Sequence, residues 1–301
     1  MVRIFLTLLI LQLYRLPLYA QSESLKANEQ LLCSLFDKLY EKKGPKFIRT
    51  DTEKETINRQ LDSLFWNTLQ DPTSFDYDFP CLKNKISLLR SEDNRLKIYV
   101  WDTRNDDYTH TYRGFLQYYH KKKKKILLYR LYDFSDSIEN PLKARLDNKH
   151  WYGNQIYQII RKKHKRRIYY TLIGWDENNL LTSKKVVDVL YFTGSGRPRF
   201  GKRIFVVGKK KYNRLIYEYS AKVVMVLHYD PHYDMIVMDH LSPSQKIYKG
   251  LYLFYGPDFT YDALKFKKGK WILLENVKVN NPRHKGKIEK NTTKPPLPFK
   301  N

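Results

Sequence analysis

Residues 168–174 read Ile168-Tyr169-Tyr170-Thr171-Leu172-Ile173-Gly174, and segments of this kind decide the fold class. β-branched and aromatic residues favour pleated strands, and polar or basic clusters separate these segments at intervals typical of antiparallel sheet. Fourteen short strands exceed what one open sheet usually holds. We therefore expect a mainly β protein, an antiparallel meander curled into a sandwich or a propeller-like array. The pattern predicts these fourteen strands: Ile86–Arg90, Leu96–Trp101, Thr109–Tyr119, Ile126–Tyr132, Trp151–Ile160, Ile168–Gly174, Val186–Phe192, Ile204–Val207, Arg214–Tyr219, Val223–Tyr229, Met235–His240, Tyr248–Phe254, Ala263–Phe266 and Trp271–Glu275.

Two amphipathic α-helices are predicted ahead of the strands. Apolar residues recur at helical spacing from Leu25 to Tyr40 and again from Ile57 to Leu69. The second run follows Thr52-Glu53-Lys54-Glu55, which has the form of a capping box. We expect this pair of helices to pack on the β domain and cover its core.

The N-terminus has the composition of a secretory signal peptide. Arg3 precedes an apolar stretch, Ile4–Leu13, and the small residue Ala20 stands before a polar one. Arg15 and Pro17 end the apolar run short of the roughly 20 residues that a membrane-spanning helix needs. The organisation expected from the sequence is a signal peptide over 1–20, a helical segment over 21–80, an antiparallel β domain over 81–279 and a basic disordered tail over 280–301.

Charge is the most informative feature after the strand pattern. The formal net charge is +25, yet a hydrophobic content of 42% excludes a disordered chain. Lysine and arginine concentrate at predicted hairpin tips, residues 120–125, 161–167 and 209–211. If the strands run up and down in order, the first two tips lie at one end of the sheet, and residues 105–107 and 176–179 lie at the other. The candidate polyanion-binding residues are Lys121, Lys122, Lys123, Lys124, Lys125, Lys162, Lys163, Lys165, Arg166 and Arg167.

Such a focused basic end would attract anionic lipid head groups or polysaccharide. The alternative is that lysine is abundant throughout the chain for compositional reasons, and that lysine at hairpin tips only protects sheet edges from aggregation. Nucleic acid is not an expected partner, because export removes it from reach. Oligomeric state is not indicated by the sequence.

Four strings distinguish the β region: Trp151-Tyr152-Gly153, the run from Tyr170 to Asp176, the run from Met235 to Pro243, and Phe254-Tyr255-Gly256-Pro257-Asp258. Together they resemble a family of uncharacterised secreted proteins from Bacteroidota. The resemblance implies an envelope protein of a Gram-negative bacterium, located in the periplasm or associated with the outer membrane. It transfers no catalytic residue.

The two cysteines, Cys33 and Cys81, fit one disulfide bond in an oxidising compartment. Such a bond would tie the first helix to the entrance of the first strand. Two buried free thiols are the alternative.

No local signature of an enzyme is present, so we expect a non-enzymatic binding or structural factor without a cofactor. Residues 194–198 are rich in glycine but lack the lysine and following helix of a phosphate-binding loop. The cluster His228–Asp234 with Asp239 and His240 contains metal-ligand residue types, but strand alternation disperses them, so no metal site is expected. A metal-dependent hydrolase built on this cluster is one alternative function.

A glycan-binding or glycan-hydrolysing protein is the other alternative. Trp101, Trp151 and Trp175 would act as stacking platforms, with the acids Asp102 and Asp176 nearby. Two of these tryptophans belong to a weak internal echo, because Trp101-Asp102 and Trp175-Asp176 each close a predicted strand.

Overall fold

The computed structural model of the protein describes residues 23–44 and 46–278. Within these ranges the chain begins with helix α1, over residues 23–39. The two-residue strands β1 (Lys42–Lys43) and β2 (Lys46–Phe47) then pair with each other, and helix α2 (Asp51–Gln70) follows. The predicted signal peptide and the predicted tail lie outside the described residues. No helix within the described ranges is both long and apolar enough to cross a membrane.

A capping box starts α2, but two residues earlier than predicted. The Thr50 hydroxyl accepts a hydrogen bond from the Glu53 backbone N–H, and the Glu53 carboxylate accepts one from the Thr50 N–H at 2.8 Å. Thr52 lies inside the helix instead of capping it. The sequence contains two overlapping Thr-x-x-Glu patterns, and only the first coincides with the extended backbone that precedes the helix.

The remainder of the described chain is a succession of β-strands. They are β3 (Ser87–Arg90), β4 (Leu96–Arg104), β5 (His110–His120), β6 (Lys125–Tyr132), β7 (Gln155–His164), β8 (Arg167–Asp176), β9 (Thr182–Phe192), β10 (Pro198–Phe200), β11 (Phe205–Val207), β12 (Lys210–Tyr212), β13 (Leu215–Ser220), β14 (Leu227–Asp230), β15 (Met235–Pro243), β16 (Tyr255–Lys267) and β17 (Lys270–Leu274).

These strands form three larger sheets. The first has the order β3-β4-β5-β6, and the second has the order β7-β8-β9-β10 with β13 also paired to β9. The third has the order β12-β11-β17-β16-β15-β14. All pairs are antiparallel except β11 with β17, so the prediction of a mainly β, antiparallel fold is confirmed.

The sheets stack on one another and the helices cover the outer face of the first sheet. Alternate residues of β8 serve two cores: Tyr170 and Leu172 pack towards the first sheet, whereas Tyr169 and Ile173 pack towards the third. Both faces of the middle sheet are therefore buried, which explains why its strands are so uniformly apolar. On β4, the Trp101 and Tyr99 side chains face the helices. They pack with Phe36 of α1 and Phe65 of α2. The packing is sandwich-like, in four layers.

A disulfide bond joins Cys33 of α1 to Cys81, which lies in the turns ahead of β3. Next to it, the Glu29 carboxylate accepts hydrogen bonds from the Cys81 N–H at 2.7 Å and from the Tyr77 hydroxyl at 2.5 Å. The covalent bond and these polar contacts attach the helical layer to the start of the first sheet.

Several predicted strands differ from the observed ones. Residues 248–254 were predicted as a strand, and this is wrong: they contain parts of two short 3-10 helices, Lys246–Tyr248 and Tyr252–Phe254, on either side of Gly250. Gly250 has a φ of +90°, a conformation that glycine adopts readily and a strand cannot contain. The three-residue strands β10 and β12 were not predicted, because so few residues produce no recognisable alternation.

Candidate functional site

The candidate site is a cleft at the end of the molecule where turns of the first and second sheets meet. The β5–β6 turn contributes His120, Lys121 and Lys122, and the β7–β8 turn contributes Arg166 and Arg167. The cleft has a volume of about 630 Å³. Two segments separated by some forty residues in the sequence thus place cationic side chains around one concave surface.

The third sheet adds a further basic turn at the same end. The β16–β17 turn, residues 267–270, contains three lysines around Gly269, and a side chain at Gly269 would collide with the ring of His164 in β7. We call this end the basic pole, defined by the turns at residues 120–125, 164–167 and 267–270. Every layer of sheet contributes to it.

Aromatic rings form the floor of the cleft. The rings of Tyr118 and Phe192 are stacked with centroids 3.6 Å apart and an interplanar angle of 5°. Tyr170 meets Phe192 edge-on at 6.2 Å, and Tyr191 meets Tyr169 in the same way at 6.4 Å. Tyr118, Tyr170 and Phe192 belong to the core between the first and second sheets, whereas Tyr169 and Tyr191 lie on the other face of the second sheet.

Arg95 is held rigidly beside this floor. Its guanidinium lies 5.1 Å from the Tyr118 ring centroid, and its Nη2 donates to the Tyr118 hydroxyl at 2.7 Å. Nε and Nη2 also donate to the Tyr119 carbonyl at 3.3 Å. A guanidinium fixed in this way loses little conformational freedom when an anion binds to it.

The β5–β6 turn is fixed by the turn between β9 and β10. His120 Nδ1 accepts from the Lys123 N–H at 3.2 Å, so Nε2 carries the proton and donates to the Gly194 carbonyl at 3.1 Å. Gly196 has a φ of +92°, and a Cβ there would lie 2.4 Å from Leu127 and 2.7 Å from the His120 ring. Residues 194–196 therefore form a loop between β9 and β10 that packs against the β5–β6 turn at the edge of the cleft.

Besides Arg95, four cations of the cleft make no ion pair with any other residue in the described ranges: Lys121, Lys122, Arg166 and Arg167. In contrast, Arg161 Nε lies 3.1 Å from Asp93, and Lys162 is paired with Asp234. Burial lowers the pKa of neighbouring Lys202, and the positive charges of Arg167 and Arg145 lower this pKa further. The charges of Arg145 and Arg167 are therefore close enough to Lys202 to disfavour its protonated form.

The other predicted polyanion-binding residues take different positions around the basic pole. Lys123 donates from Nζ to the Ser195 carbonyl at 2.9 Å, and Lys124, Lys125, Lys163 and Lys165 are exposed outside the cleft. Lys162 points to the third sheet, with Nζ 5.0 Å from the Tyr229 ring centroid. Because successive side chains of a strand point to opposite faces, Arg161 and Lys162 of β7 serve different partners.

The predicted glycan-stacking platforms are largely buried. Trp101 is 0% exposed and donates from Nε1 to Asn58 at 3.0 Å, and Trp151 is 1% exposed within the core between the first two sheets. The prediction that these two rings face solvent is wrong, because both belong to faces that another layer covers. Trp175 is partly exposed, and the Lys185 ammonium lies 5.5 Å from its ring centroid.

The two halves of the internal echo come together at the end opposite the basic pole. His110, which the sequence analysis did not single out, lies 3.0 Å from Asp102 through Nδ1 and 3.2 Å from Glu177 through Nε2. The Tyr112 hydroxyl donates to Asp176 at 3.1 Å. Burial raises the pKa of Asp176 above its usual value. The side chains of this cluster satisfy one another, which fits a structural role.

The histidine and aspartate residues between 228 and 240 are dispersed. His240 Nδ1 lies 2.8 Å from Asp262, and Asp239 accepts from the Val226 N–H at 2.7 Å. Asp230 accepts from the His232 N–H and so stabilises the β14–β15 turn. Across residues 23–44 and 46–278, no group of three or more His, Cys, Asp or Glu side chains is arranged to hold a metal ion.

Comparisons with known proteins found no matching protein family, no matching curated protein and no matching solved structure. The function is therefore inferred from the residues of this chain alone.

Proposed function

We propose that the protein is an exported, non-enzymatic binding factor of the cell envelope, in the periplasm or at the outer membrane. Its basic pole binds anionic envelope components, and the groups it recognises are the phosphates or carboxylates of lipid head groups or of polysaccharide. The observation that carries this proposal is the cleft in which Lys121, Lys122, Arg166 and Arg167 surround an aromatic floor without carboxylate partners.

The chemistry of the cleft suits an anion carried on a larger, partly apolar molecule. Arginine presents a planar fork that matches phosphate and carboxylate, and lysine supplies a point charge. Tyr191 and Phe192, which are partly exposed in the cleft, offer apolar surface for a sugar ring or a carbon chain between the acidic groups. Near an anionic surface each such cation contributes about 1 kcal/mol, so four would raise affinity by roughly a thousandfold.

Salt-sensitive binding is the test. The protein would be sedimented with phosphatidylcholine vesicles with and without phosphatidylglycerol, and titrated separately with soluble inorganic polyphosphate, over a series of salt concentrations. Binding to the vesicles would identify lipid head groups as the anionic ligand. Binding to polyphosphate would identify a soluble anionic polymer. Because bound cations release counterions and salt screens exposed charges, binding to either anion should weaken steeply as salt rises.

A pair of matched variants locates the binding surface. Arg166→Gln with Arg167→Gln removes two charges from the cleft, whereas Lys210→Gln with Lys211→Gln removes two charges from exposed β12 in the third sheet. The cleft variant should lose roughly thirtyfold in affinity, about 1 kcal/mol for each charge, and the β12 variant should change little. Equal losses in the two variants would reject the cleft, and binding to neither anion at low salt would reject the proposed function.

No observation favours a second function. In the glycan-stacking alternative, two of the three tryptophans are buried in the core. The described residues suggested for a hydrolytic metal centre are dispersed.

A further inference from the structure

The end of the molecule opposite the basic pole has an apolar part beside the polar cluster around His110. Three connections meet there: β8–β9, β13–β14 and β15–β16. The Ala221 N–H donates to the Leu181 carbonyl at 3.0 Å, which joins the first two connections. Val223 lies next to Gly256 at the start of β16, where a Cβ on Gly256 would be 3.5 Å from the Val223 side chain, so the second connection adjoins the third. We call this surface the apolar pole, defined by residues 180–181, 223–226 and 247–254.

Large aliphatic side chains on this surface are exposed to solvent. Val224 is 80% exposed and Ile247 is 79% exposed, and Leu180 and Leu181 are each 62% exposed. Single exposed apolar residues are common on proteins, but a contiguous group from three connections marks a surface that binds something. No described residue covers these side chains.

Phe259 extends the same surface along β16. It is 94% exposed and has a φ of +67°, an unusual conformation for a bulky aromatic residue. Asp258 stabilises this conformation by accepting hydrogen bonds from the N–H and hydroxyl of Thr260, at 3.1 and 2.7 Å. The backbone thus holds the ring in solvent at a local cost, which a binding role would offset.

Lysines and tyrosines accompany the aliphatic residues. Residues 221–226 and 244–254 contain Lys222, Lys246 and Lys249 but no aspartate or glutamate. The Tyr248 and Phe254 rings are stacked with centroids 4.0 Å apart, and the Tyr252 ring lies 5.2 Å from that of Tyr255. The last described residues also lie at this end, since the Val277 N–H donates to the Tyr261 carbonyl. The sequence that follows, residues 279–301, contains six lysines and arginines and one glutamate.

We propose that the apolar pole docks on the surface of a lipid bilayer. Its aliphatic side chains and Phe259 enter the boundary between head groups and acyl chains, its tyrosines lie at head-group level, and its three lysines contact anionic head groups. The ten residues of β8 span roughly 30 Å, so the basic pole would face away from the membrane and be free to hold an anionic polymer.

A second copy of the chain suits this surface less well. In a symmetric dimer the same patch meets itself, so the lysines of one apolar pole would face the lysines of the other across a buried interface. A membrane with anionic lipid instead offers complementary charge beside apolar volume. This inference goes beyond the proposed polyanion binding, because it concerns different residues at the other end of the molecule.

Vesicle binding at high salt tests the inference, since salt suppresses binding by the basic pole. The full mature chain would be floated with phosphatidylcholine vesicles. Val224→Ser with Ile247→Ser should reduce the partition coefficient about a hundredfold, roughly tenfold for each side chain. The matched control is Leu31→Ser with Ile48→Ser, two exposed aliphatic residues of the helical segment, and it should bind like the parent protein. Far-UV circular dichroism and melting temperature would establish that both variants are folded.

A fluorescent label reports which end of the molecule meets the lipid. An environment-sensitive dye on Phe259→Cys should shift to the blue when vesicles are added, and the same dye on Lys165→Cys at the basic pole should not. Equal loss in the test and control variants, or a blue shift at Lys165→Cys alone, would overturn the inference. A dimer in solution that V224S/I247S abolishes without altering vesicle binding would also overturn it. Arg166→Gln with Arg167→Gln should leave this binding intact, which separates it from the function proposed for the cleft.

Discussion

Replacing Asp188 by asparagine should destabilise the protein strongly, because it would leave a buried arginine without a counter-ion. Arg214 is 0% exposed, and its Nε and Nη2 lie 2.8 and 2.7 Å from the Asp188 carboxylate. Its Nη1 donates to the Pro141 carbonyl. The pair joins the residue ahead of β13 to β9, and the contact with Pro141 attaches the β6–β7 connection to them.

The expected magnitude follows from the asymmetry between the two partners. Arginine cannot release its proton, so Asp188→Asn leaves a full charge in the core, at a cost of about 3–5 kcal/mol. Arg214→Met leaves a carboxyl group whose pKa burial already raises, so this carboxyl can take up a proton and the loss should be smaller at low pH. Asp188→Leu combined with Arg214→Met removes both charges and should recover most of the stability.

Equilibrium unfolding in urea at neutral pH, with the disulfide intact, would measure these free energies. A loss of about 3–5 kcal/mol corresponds to a fall in melting temperature of roughly 6–20 °C for a chain of this size. The reasoning is refuted if Asp188→Asn costs less than about 1 kcal/mol, or if the double variant loses as much stability as Asp188→Asn.

Three further predictions concern stability and its dependence on pH. Removing the disulfide through Cys33→Ala with Cys81→Ala should cost about 4 kcal/mol of unfolding free energy in urea, because the bond closes a loop of 48 residues, and an unchanged midpoint would contradict this. The hydrogen bond to Asp262 raises the pKa of His240, although partial burial opposes it. The stabilisation should therefore be complete below the unfolded value of 6.5 and disappear as pH rises through the folded pKa, and Asp262→Asn should weaken this dependence of melting temperature on pH. Burial, aided by Arg90, lowers the pKa of Lys97 to about 8, so the unfolded chain binds the extra proton and stability should rise from about pH 8 towards 10.5; a Lys97→Met variant that shows the same rise would refute the assignment.

Local patterning was sufficient for most of the secondary structure. Residues 168–174 were predicted as a strand and lie within β8, and the apolar runs from Leu25 and Ile57 lie in α1 and α2. These predictions succeed because alternation and helical spacing are properties of neighbouring residues. The grouping of basic residues at turns is local in the same sense, and β5–β6 and β7–β8 do turn at such clusters.

The same local patterns could not predict which particular side chains are buried. Trp101 lies in β4 and Trp151 lies ahead of β7, in segments whose patterns gave no sign of a covering layer, and both are fully buried. Residues 248–254 have a strand-like composition, yet Gly250 breaks them into 3-10 turns on an exposed surface. The composition of a segment shows whether it is apolar enough to be buried. Whether it is in fact buried depends on the neighbours that the tertiary structure places against it.

The sequence by itself determined that the chain is mainly β, that two helices precede the strands, and that its charges gather at turns, because each of these depends on residues close together in the chain. Only the tertiary structure decided that Tyr118 stacks on Phe192, that His120 is braced by the turn containing Gly196, and that aliphatic residues from three connections form one apolar pole. The physical reason is that sheet order and stacking bring distant segments together. These contacts follow from how whole faces of the layers are buried, which no short stretch of sequence specifies.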